Sequence, residues 1–228
     1  MIVAVHQPNY LPYLGFFQKM ANADLLIFYD TALYSKQLGF HNRNRIKTPI
    51  GAQWITVPIQ HATVATMRDV RISGSDWARQ HRKKVEANYG RAPFYESYSK
   101  DFRAILKRPW ASLMELNEAL IAFVASALSI DTKTVHASAL PATDTTDPTM
   151  KLIQFARSVG ADTYLSGVGG HEYLEESQFT DVRLKYDEFT PREYPQLFGG
   201  PFVPNLSAID ALFNCGEKAR QLLQAAPA

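Results

Sequence analysis

The chain has 228 residues, of which 46% are hydrophobic and 20% charged, and its formal net charge is +2. This is sufficient for one core, or for one domain with a sizeable insertion, and the small net charge gives no general argument for nucleic-acid binding. The single cysteine, Cys215, excludes an intrachain disulfide, and no leader or apolar run of membrane-spanning length is visible, so we expect a cytoplasmic protein.

The first thirty residues are typical of a βαβ unit. An apolar run at 2–5 is followed by a polar loop at 6–12, a helix-like stretch at 13–22 and a second apolar run at 25–29 that ends in Asp30. In parallel α/β sheets, ligands bind outside the carboxyl ends of the strands. The segment is therefore a candidate site as well as part of the scaffold.

The rest of the chain alternates strands and helices around a helical middle. Further strands are predicted at 51–58, 68–72, 134–136, 162–165 and 182–186, and helices at 76–89, 99–107, 112–128, 148–159 and after Ser207. Ser75, Asp147 and Ser207 are the predicted helix caps. The sequence therefore predicts an α/β fold: a three-layer sandwich with a mostly parallel sheet, as one domain over 1–228 with a helical insertion at about 76–128.

The polar loop at 6–12 is the first candidate constellation. Pro8 and Pro12 restrict the backbone, and a stiff loop that leads into a helix offers free N–H groups to an anion. His6 is the candidate general base and Asp30 the carboxylate that could orient it. The alternative is a half-buried, satisfied histidine in a loop that only turns the chain. The residues assigned to this site are His6, Gln7, Asn9, Tyr10 and Asp30.

A basic segment at 41–47 is the second constellation. If it is extended, four potentially cationic side chains share one face, and they repel one another unless an anion or carboxylates lie between them. Tyr34, Phe40 and Trp54 flank the segment and could hold a ring. The alternative is a solvated basic edge strand. The residues assigned to substrate binding here are His41, Asn42, Arg43, Arg45 and Lys47.

A glycine-rich turn at 166–171 is the third constellation. Glycines between a strand and a helix let the backbone approach a ligand closely, although Glu172 breaks the dinucleotide fingerprint. The alternative is a tight βα turn without a ligand. The candidate residues are Ser166, Gly167, Gly169 and His171. Because no cysteine or histidine cluster has metal-ligand spacing, no metal is predicted, and the sequence identifies neither a cofactor nor an oligomeric state.

Together these constellations resemble the WbqC-like protein family over almost the whole chain. The motifs that carry the resemblance are His6-Gln7-Pro8-Asn9-Tyr10-Leu11-Pro12 with Gly15-Phe16-Phe17, then Ala23-Asp24, Asp30, Asn42-Arg43-Asn44-Arg45-Ile46, Trp54-Ile55-Thr56-Val57-Pro58, Tyr164-Leu165-Ser166-Gly167 and Leu206-Ser207-Ala208-Ile209-Asp210. The opening of the chain also looks like that of nucleotidylyltransferases, with His6 and the Ser166-Gly167 turn in the corresponding places; this is a fold-level analogy.

The resemblance implies a role in bacterial surface-polysaccharide (O-antigen) or related biosynthesis. The implied activity is a transferase that attaches an amino-acid or acyl group to a nucleotide-linked amino sugar, so the expected partner is a small anionic molecule. One alternative is a non-catalytic module that binds a nucleotide sugar or assists assembly. A third is transfer that depends on aminoacyl-tRNA, against which the small net charge weighs.

Overall fold

The computed structural model describes residues 1–35, 39–60 and 65–223. In chain order its strands and α-helices are β1 (Ile2–His6), α1 (Leu14–Ala21), β2 (Leu25–Phe28), β3 (Arg43–Thr48), β4 (Gly51–Thr56), α2 (Asp76–Tyr89), α3 (Tyr95–Lys107), α4 (Leu113–Ala127), β5 (Lys133–His136), α5 (Pro148–Ser158), β6 (Thr163–Gly167), β7 (Arg183–Asp187) and α6 (Ala208–Cys215). Short 3₁₀ helices cover Met67–Asp69, Ala137–Ala139, Val168–Glu172, Glu176–Gln178 and Gly216–Leu223.

Five of the strands form one parallel sheet in the order β5-β2-β1-β6-β7, and β3 and β4 form a separate antiparallel hairpin. The predicted α/β class and mostly parallel sheet are therefore confirmed. From β1 the chain winds outward through β2 and β5, then returns to the other side of β1 for β6 and β7. The winding direction thus reverses between β1 and β6, the place where open α/β sheets bind ligands.

The two faces of the sheet are covered by different helices. On β1, Ala4 faces a large core that includes residues of α1, α3, α4 and α6, whereas Val3 and Val5 face a smaller core built with α5. This alternation places each core on its own side of the sheet and produces the three predicted layers. The helices α2, α3 and α4 lie between β4 and β5 along the chain, as the predicted helical insertion requires. No helix in the described ranges is both long and apolar enough to cross a membrane.

Local capping explains some element boundaries and not others. Asp147 Oδ1 accepts a hydrogen bond from the Met150 N–H at 2.8 Å, which confirms the predicted cap of α5. Ser75 and Ser207 precede helices, but their side chains make no capping bond. The strand predicted at 68–72 is wrong: Met67–Asp69 is a 3₁₀ turn, and the two residues after Val70 make only isolated bridges.

The amino-terminal loop is fastened to the carboxy-terminal helix. The Ala208 N–H donates to the Pro12 carbonyl at 2.8 Å, and Tyr13 and Ser207 form an isolated antiparallel bridge. The Ser207 N–H also donates to the Arg45 carbonyl at 3.0 Å. The start of α6 therefore joins the loop after β1 to the strand β3.

The central strands separate at one end of the sheet. Pairing between β1 and β6 ends at Ala4↔Leu165, although β6 continues beside β7 as far as Gly167↔Asp187. The His6 carbonyl accepts from the Tyr29 N–H on the β2 side, so the preceding carbonyl, that of Val5, points toward β6. The sheet is thereby opened where its winding direction reverses.

Candidate functional site

A small cavity occupies the opening between β1 and β6, and we call it the crevice. Its volume is about 70 Å³. The ends of three parallel strands and the first turns of α1 enclose it. The lining residues are His6, Tyr13, Gly15, Phe16, Lys19, Gly167, Val168, Asp187 and Phe189. Of the three predicted constellations, the crevice brings together His6 and the glycine turn.

His6 presents a neutral imidazole with one free nitrogen. Its Nδ1 lies 2.7 Å from the Gln7 carbonyl oxygen. Because a carbonyl can only accept, Nδ1 carries the proton and Nε2 keeps its lone pair. No residue in the described part of the chain donates to Nε2. Burial, with a smaller contribution from Lys19, lowers the pKa of His6 to about 3, so the ring is neutral at physiological pH.

Lys19 brings a buried amine to the same crevice. Its side chain belongs to α1 and is only 7% exposed. Nζ donates to the Val5 carbonyl at 3.2 Å. That carbonyl has no partner on β6, because β1 and β6 have already separated at this point. An ammonium has three donors, and within the described ranges this is the one hydrogen bond that Nζ makes. Burial lowers the pKa of Lys19 to about 8, against the opposing effect of Asp187.

Asp187 supplies the fixed negative charge of the crevice. It ends β7, and α1 holds its carboxylate through two amides. Gln18 Nε2 donates to Oδ2 at 3.2 Å, and Asn22 Nδ2 donates to Oδ1 at 2.7 Å. Each carboxylate oxygen can accept a further hydrogen bond. Among the contacts of the described residues, Lys19 and Asp187 form no direct ion pair, so neither charge is neutralised by contact with the other.

The glycine turn divides its members between the two faces of the sheet. Gly167 lines the crevice, and its N–H points toward β1, because the Thr163 N–H donates to the Met1 carbonyl and alternate residues of a strand point the same way. Ser166 is buried on the opposite face, where its hydroxyl donates to the Gly167 carbonyl at 3.0 Å. His171 stacks on Tyr186 with ring centroids 3.5 Å apart, outside the crevice. Gly169 is exposed nearby.

The remaining members of the first constellation do not line the crevice. Asp30 is buried, and its Oδ1 accepts from the Ser138 N–H at 2.9 Å instead of meeting the His6 ring. Gln7 Nε2 donates to the Leu33 carbonyl at 3.1 Å.

Tyr10 is enclosed in the large core. Its hydroxyl lies 2.8 Å from His81 Nδ1. The structure thus uses Tyr10 to join the loop after β1 to α2, away from the crevice.

His41 and Asn9 form a second polar contact close to His6. His41 Nδ1 and Asn9 Oδ1 are 3.1 Å apart, and the His41 ring lies 5.6 Å from that of Tyr34. His41 makes the smallest of the contributions that lower the pKa of His6. Its Nε2 is buried and has no partner among the described residues. Burial lowers the pKa of His41 to about 4.

The basic segment separates into an outward pair and an inward lysine. The guanidinium of Arg43 lies 4.6 Å from the Trp54 ring centroid, and that of Arg45 lies 5.9 Å from it. We call these three side chains the arginine face. Asn42 Nδ2 donates a hydrogen bond to the Val57 carbonyl at 2.8 Å. Lys47 is buried on carbonyl and amide oxygens of the segment 196–201. The four predicted cations therefore do not converge on one guest.

Lys19 and Asp187 are the site residues that the sequence analysis missed. Asp187 follows directly after the predicted strand at 182–186, so the rule that selected His6 and Asp30 would also have selected it. Lys19 is a lysine within the largely apolar stretch of α1, a weaker signal. Within the described ranges, no group of three or more histidine, cysteine, aspartate or glutamate residues could hold a metal ion.

Comparison with known proteins gives two matches. The model described as "WbqC-like protein family" matches residues 7–222. The chain is also 34% identical, over 233 residues, to an uncharacterized protein of Mycobacterium tuberculosis (strain ATCC 25618 / H37Rv), with 97% of each chain covered. No solved structure matches the chain. The resemblance to nucleotidylyltransferases therefore stays a prediction.

Proposed function

The chain belongs to the WbqC-like protein family, and on this basis we propose that it is a transferase of bacterial surface-polysaccharide or related biosynthesis. Its substrate is a nucleotide-linked amino sugar, to which it attaches an amino-acid or acyl group. The observation that supports this proposal best is the free Nε2 of His6 in a crevice at the reversal point of the sheet. A neutral imidazole at this position can take a proton from an attacking amine.

The proposed reaction is acyl transfer from an activated ester or thioester. The sugar amine attacks the acyl carbonyl carbon, a C–N bond forms, and the amine proton passes to His6 Nε2. The bond to the leaving group then breaks, and that group departs with the electron pair and receives the proton from His6. Gly167 and Lys19 both line the crevice, and the Gly167 N–H and Lys19 Nζ are donors that can stabilise the oxyanion that develops. That negative charge also raises the pKa of His6 as the proton arrives.

The arginine face is proposed to bind the nucleotide diphosphate. Arginine forks suit phosphate oxygens, and Trp54, which is 42% exposed, offers a ring face to a base. A chain of neighbours leads from this face to the crevice. The Tyr34 hydroxyl donates to Asn42 Oδ1, next to Arg43, at 3.2 Å, and its ring lies 5.6 Å from that of His41. His41 in turn contacts Asn9, which lies in the loop that follows His6. A ligand that follows this path carries its sugar toward His6.

The experiment is an acyl-transfer assay on the purified protein. Nucleotide-linked amino sugars are incubated with acyl thioesters and aminoacyl esters, and mass spectrometry records the mass added to the sugar. For an identified pair, we expect His6→Ala to lower turnover about a hundredfold or more. His171→Ala is the matched control, because His171 also follows a central strand but stacks on Tyr186, and it should retain turnover. Turnover by His6→Ala within a few-fold of the parent protein would remove His6 as the base. Tight binding of nucleotide sugars by the parent protein without any transfer would instead support the non-catalytic alternative.

A further inference from the structure

We infer that the crevice recognises the head of an α-amino acid, with the carboxyl oxygen at Lys19 and the α-ammonium at Asp187. The inference rests on the proposed transfer and specifies its acyl group as aminoacyl. It starts from the charges that are fixed in the crevice. One cation and one anion line the same small space without contacting each other directly.

The charge balance favours a zwitterion over a phosphate. With His6 neutral, the lining charges sum to zero, so a phosphate dianion would gain from Lys19 but be repelled by Asp187. A free α-amino acid carries both charges on adjacent groups and matches both, and its activated ester keeps the ammonium for Asp187 and a carbonyl oxygen for Lys19. Phosphate finds a better counterpart on the arginine face, where two guanidinium groups lie together over Trp54.

The unused hydrogen-bonding capacity of the crevice also matches this head group. Lys19 is nine-tenths buried, and its ammonium makes one hydrogen bond, to the Val5 carbonyl, within the described ranges. Together with the Gly167 N–H it can hold the carbonyl oxygen of an acyl group. Asp187 keeps acceptor capacity beyond its bonds to Gln18 and Asn22 and can receive an ammonium. Leaving these groups unfilled costs free energy that a ligand would recover.

The size of the crevice limits the side chain of the amino acid. A volume of about 70 Å³ holds a few water-sized groups. A larger residue at position 15 would not simply narrow the crevice, because a Cβ there would clash with the Tyr13 ring. We therefore expect glycine and alanine to fit and large aliphatic or aromatic amino acids to be excluded.

The test is a binding titration of the full chain by calorimetry at neutral pH. The probes are glycine and L-alanine, compared with acetate and methylamine, which each carry half of the head group, and with inorganic phosphate. We expect glycine and alanine to bind at least about tenfold more tightly than acetate, methylamine or phosphate, since each charge-assisted contact contributes a factor of about ten or more. Asp187→Asn should weaken glycine binding about tenfold and should strengthen acetate binding, since it removes the carboxylate that repels an anion, whereas Lys19→Met should weaken both.

Several results would overturn the inference while leaving the transferase proposal standing. If acetate or phosphate binds as tightly as glycine and Asp187→Asn changes nothing, the crevice is a simple anion site. The absence of binding by all the probes would exclude a preformed amino-acid site. In the transfer assay, equal use of acetyl and glycyl donors by both the parent protein and Asp187→Asn would likewise contradict aminoacyl recognition. Circular dichroism of each variant confirms that it is folded.

Discussion

Two buried lysines of this protein lie in opposite kinds of surroundings. Lys19 in the crevice donates to one carbonyl and lines an open space. Lys47 Nζ donates to three oxygens: Gln196 Oε1 at 3.2 Å, the Gly199 carbonyl at 3.1 Å and the Pro201 carbonyl at 3.5 Å. Burial alone therefore does not distinguish a structural lysine from a candidate functional one; the number of partners does.

The surroundings of Lys47 continue into a second buried carboxylate, and we call the whole set the Asp210 cluster. Asp210 accepts from the hydroxyls of Tyr89 and Tyr194, each at 2.7 Å, and from Gln196 Nε2 at 3.1 Å. The Tyr89 hydroxyl in turn accepts from the Lys47 N–H at 2.9 Å. Burial raises the pKa of Asp210, and these donors act in the opposite direction. The Asp210 cluster thus joins β3, α2, α6 and the segment 194–201 through satisfied polar groups.

The contrast suggests a division of labour. A fully paired polar network inside a protein specifies one arrangement and resists change. A partly paired group at a strand end keeps bonding capacity for a ligand, at a cost to the stability of the empty protein. Three measurements can break or sharpen this comparison.

The largest expected effect is on stability when Asp210 is removed. Asp210→Ala leaves two tyrosine hydroxyls without their acceptor and Gln196 Nε2 with only the Val203 carbonyl, and we expect the free energy of unfolding to fall by about 3–5 kcal/mol. Asp187→Ala is the matched change in the crevice, where the carboxylate has two amide partners and borders open space, and it should cost much less. Denaturant titration gives both values. Equal losses would show that the crevice carboxylate is as structural as Asp210.

The two lysine substitutions should show the same contrast on a smaller scale: the change at Lys47 should lower the free energy of unfolding more than the change at Lys19. Lys47→Met removes the donor to the Gly199 and Pro201 carbonyls and one of the two donors to Gln196 Oε1, and we expect a loss of about 2 kcal/mol. Lys19→Met leaves only the Val5 carbonyl unpaired and removes a desolvated cation, so its effect on the free energy of unfolding should be below about 1 kcal/mol. Thermal or denaturant unfolding of the two variants measures the difference. A larger loss for Lys19→Met would reverse the assignment of roles.

The third prediction concerns the pH dependence of the contribution of Lys19 to stability. The pKa of Lys19 is about 8 in the folded protein, whereas an ordinary lysine, as in the unfolded chain, has a pKa of 10.5. Between pH 8 and pH 10.5 the unfolded chain therefore binds more protons than the folded one. The stability of the parent protein relative to Lys19→Met should therefore rise with pH in this window, by at most about 1.4 kcal/mol per pH unit. Denaturant titrations at intervals from neutral to alkaline pH give the slope. A difference that is flat across the window would show that the amine is not desolvated.

Much of the fold could be predicted because its signals are local. The helix predicted at 76–89 has those bounds in the structure, and the Asp147 cap forms as expected. The strand at 68–72 failed because Arg71 and Ile72 find single bridge partners, Ser112 and Ile59, on different segments, and local alternation cannot reveal that.

The site was predicted in part for the same reason. The end-of-strand rule placed His6 and Gly167 correctly at one opening, and alternation placed Arg43 and Arg45 on one face with Trp54. The burial of Lys19 depends on how far β1 and β6 stay paired, which is a property of segments more than 150 residues apart. The local alternation of the basic segment assigns Lys47 to ligand binding. Its actual partners, at 196–201, are equally distant in sequence, so a local pattern cannot reveal them.

The fastening of the loop after β1 to the start of α6 has a consequence for biosynthesis. The Pro12 carbonyl and Tyr13 receive their partners from Ala208 and Ser207, which the ribosome adds long after them. The segment that carries His6 is made well before residues 207 and 208, so its support forms only after those residues have been translated. Nascent chains arrested before position 207 should therefore leave this loop open to proteases, and any shortened or split version of the protein must retain α6.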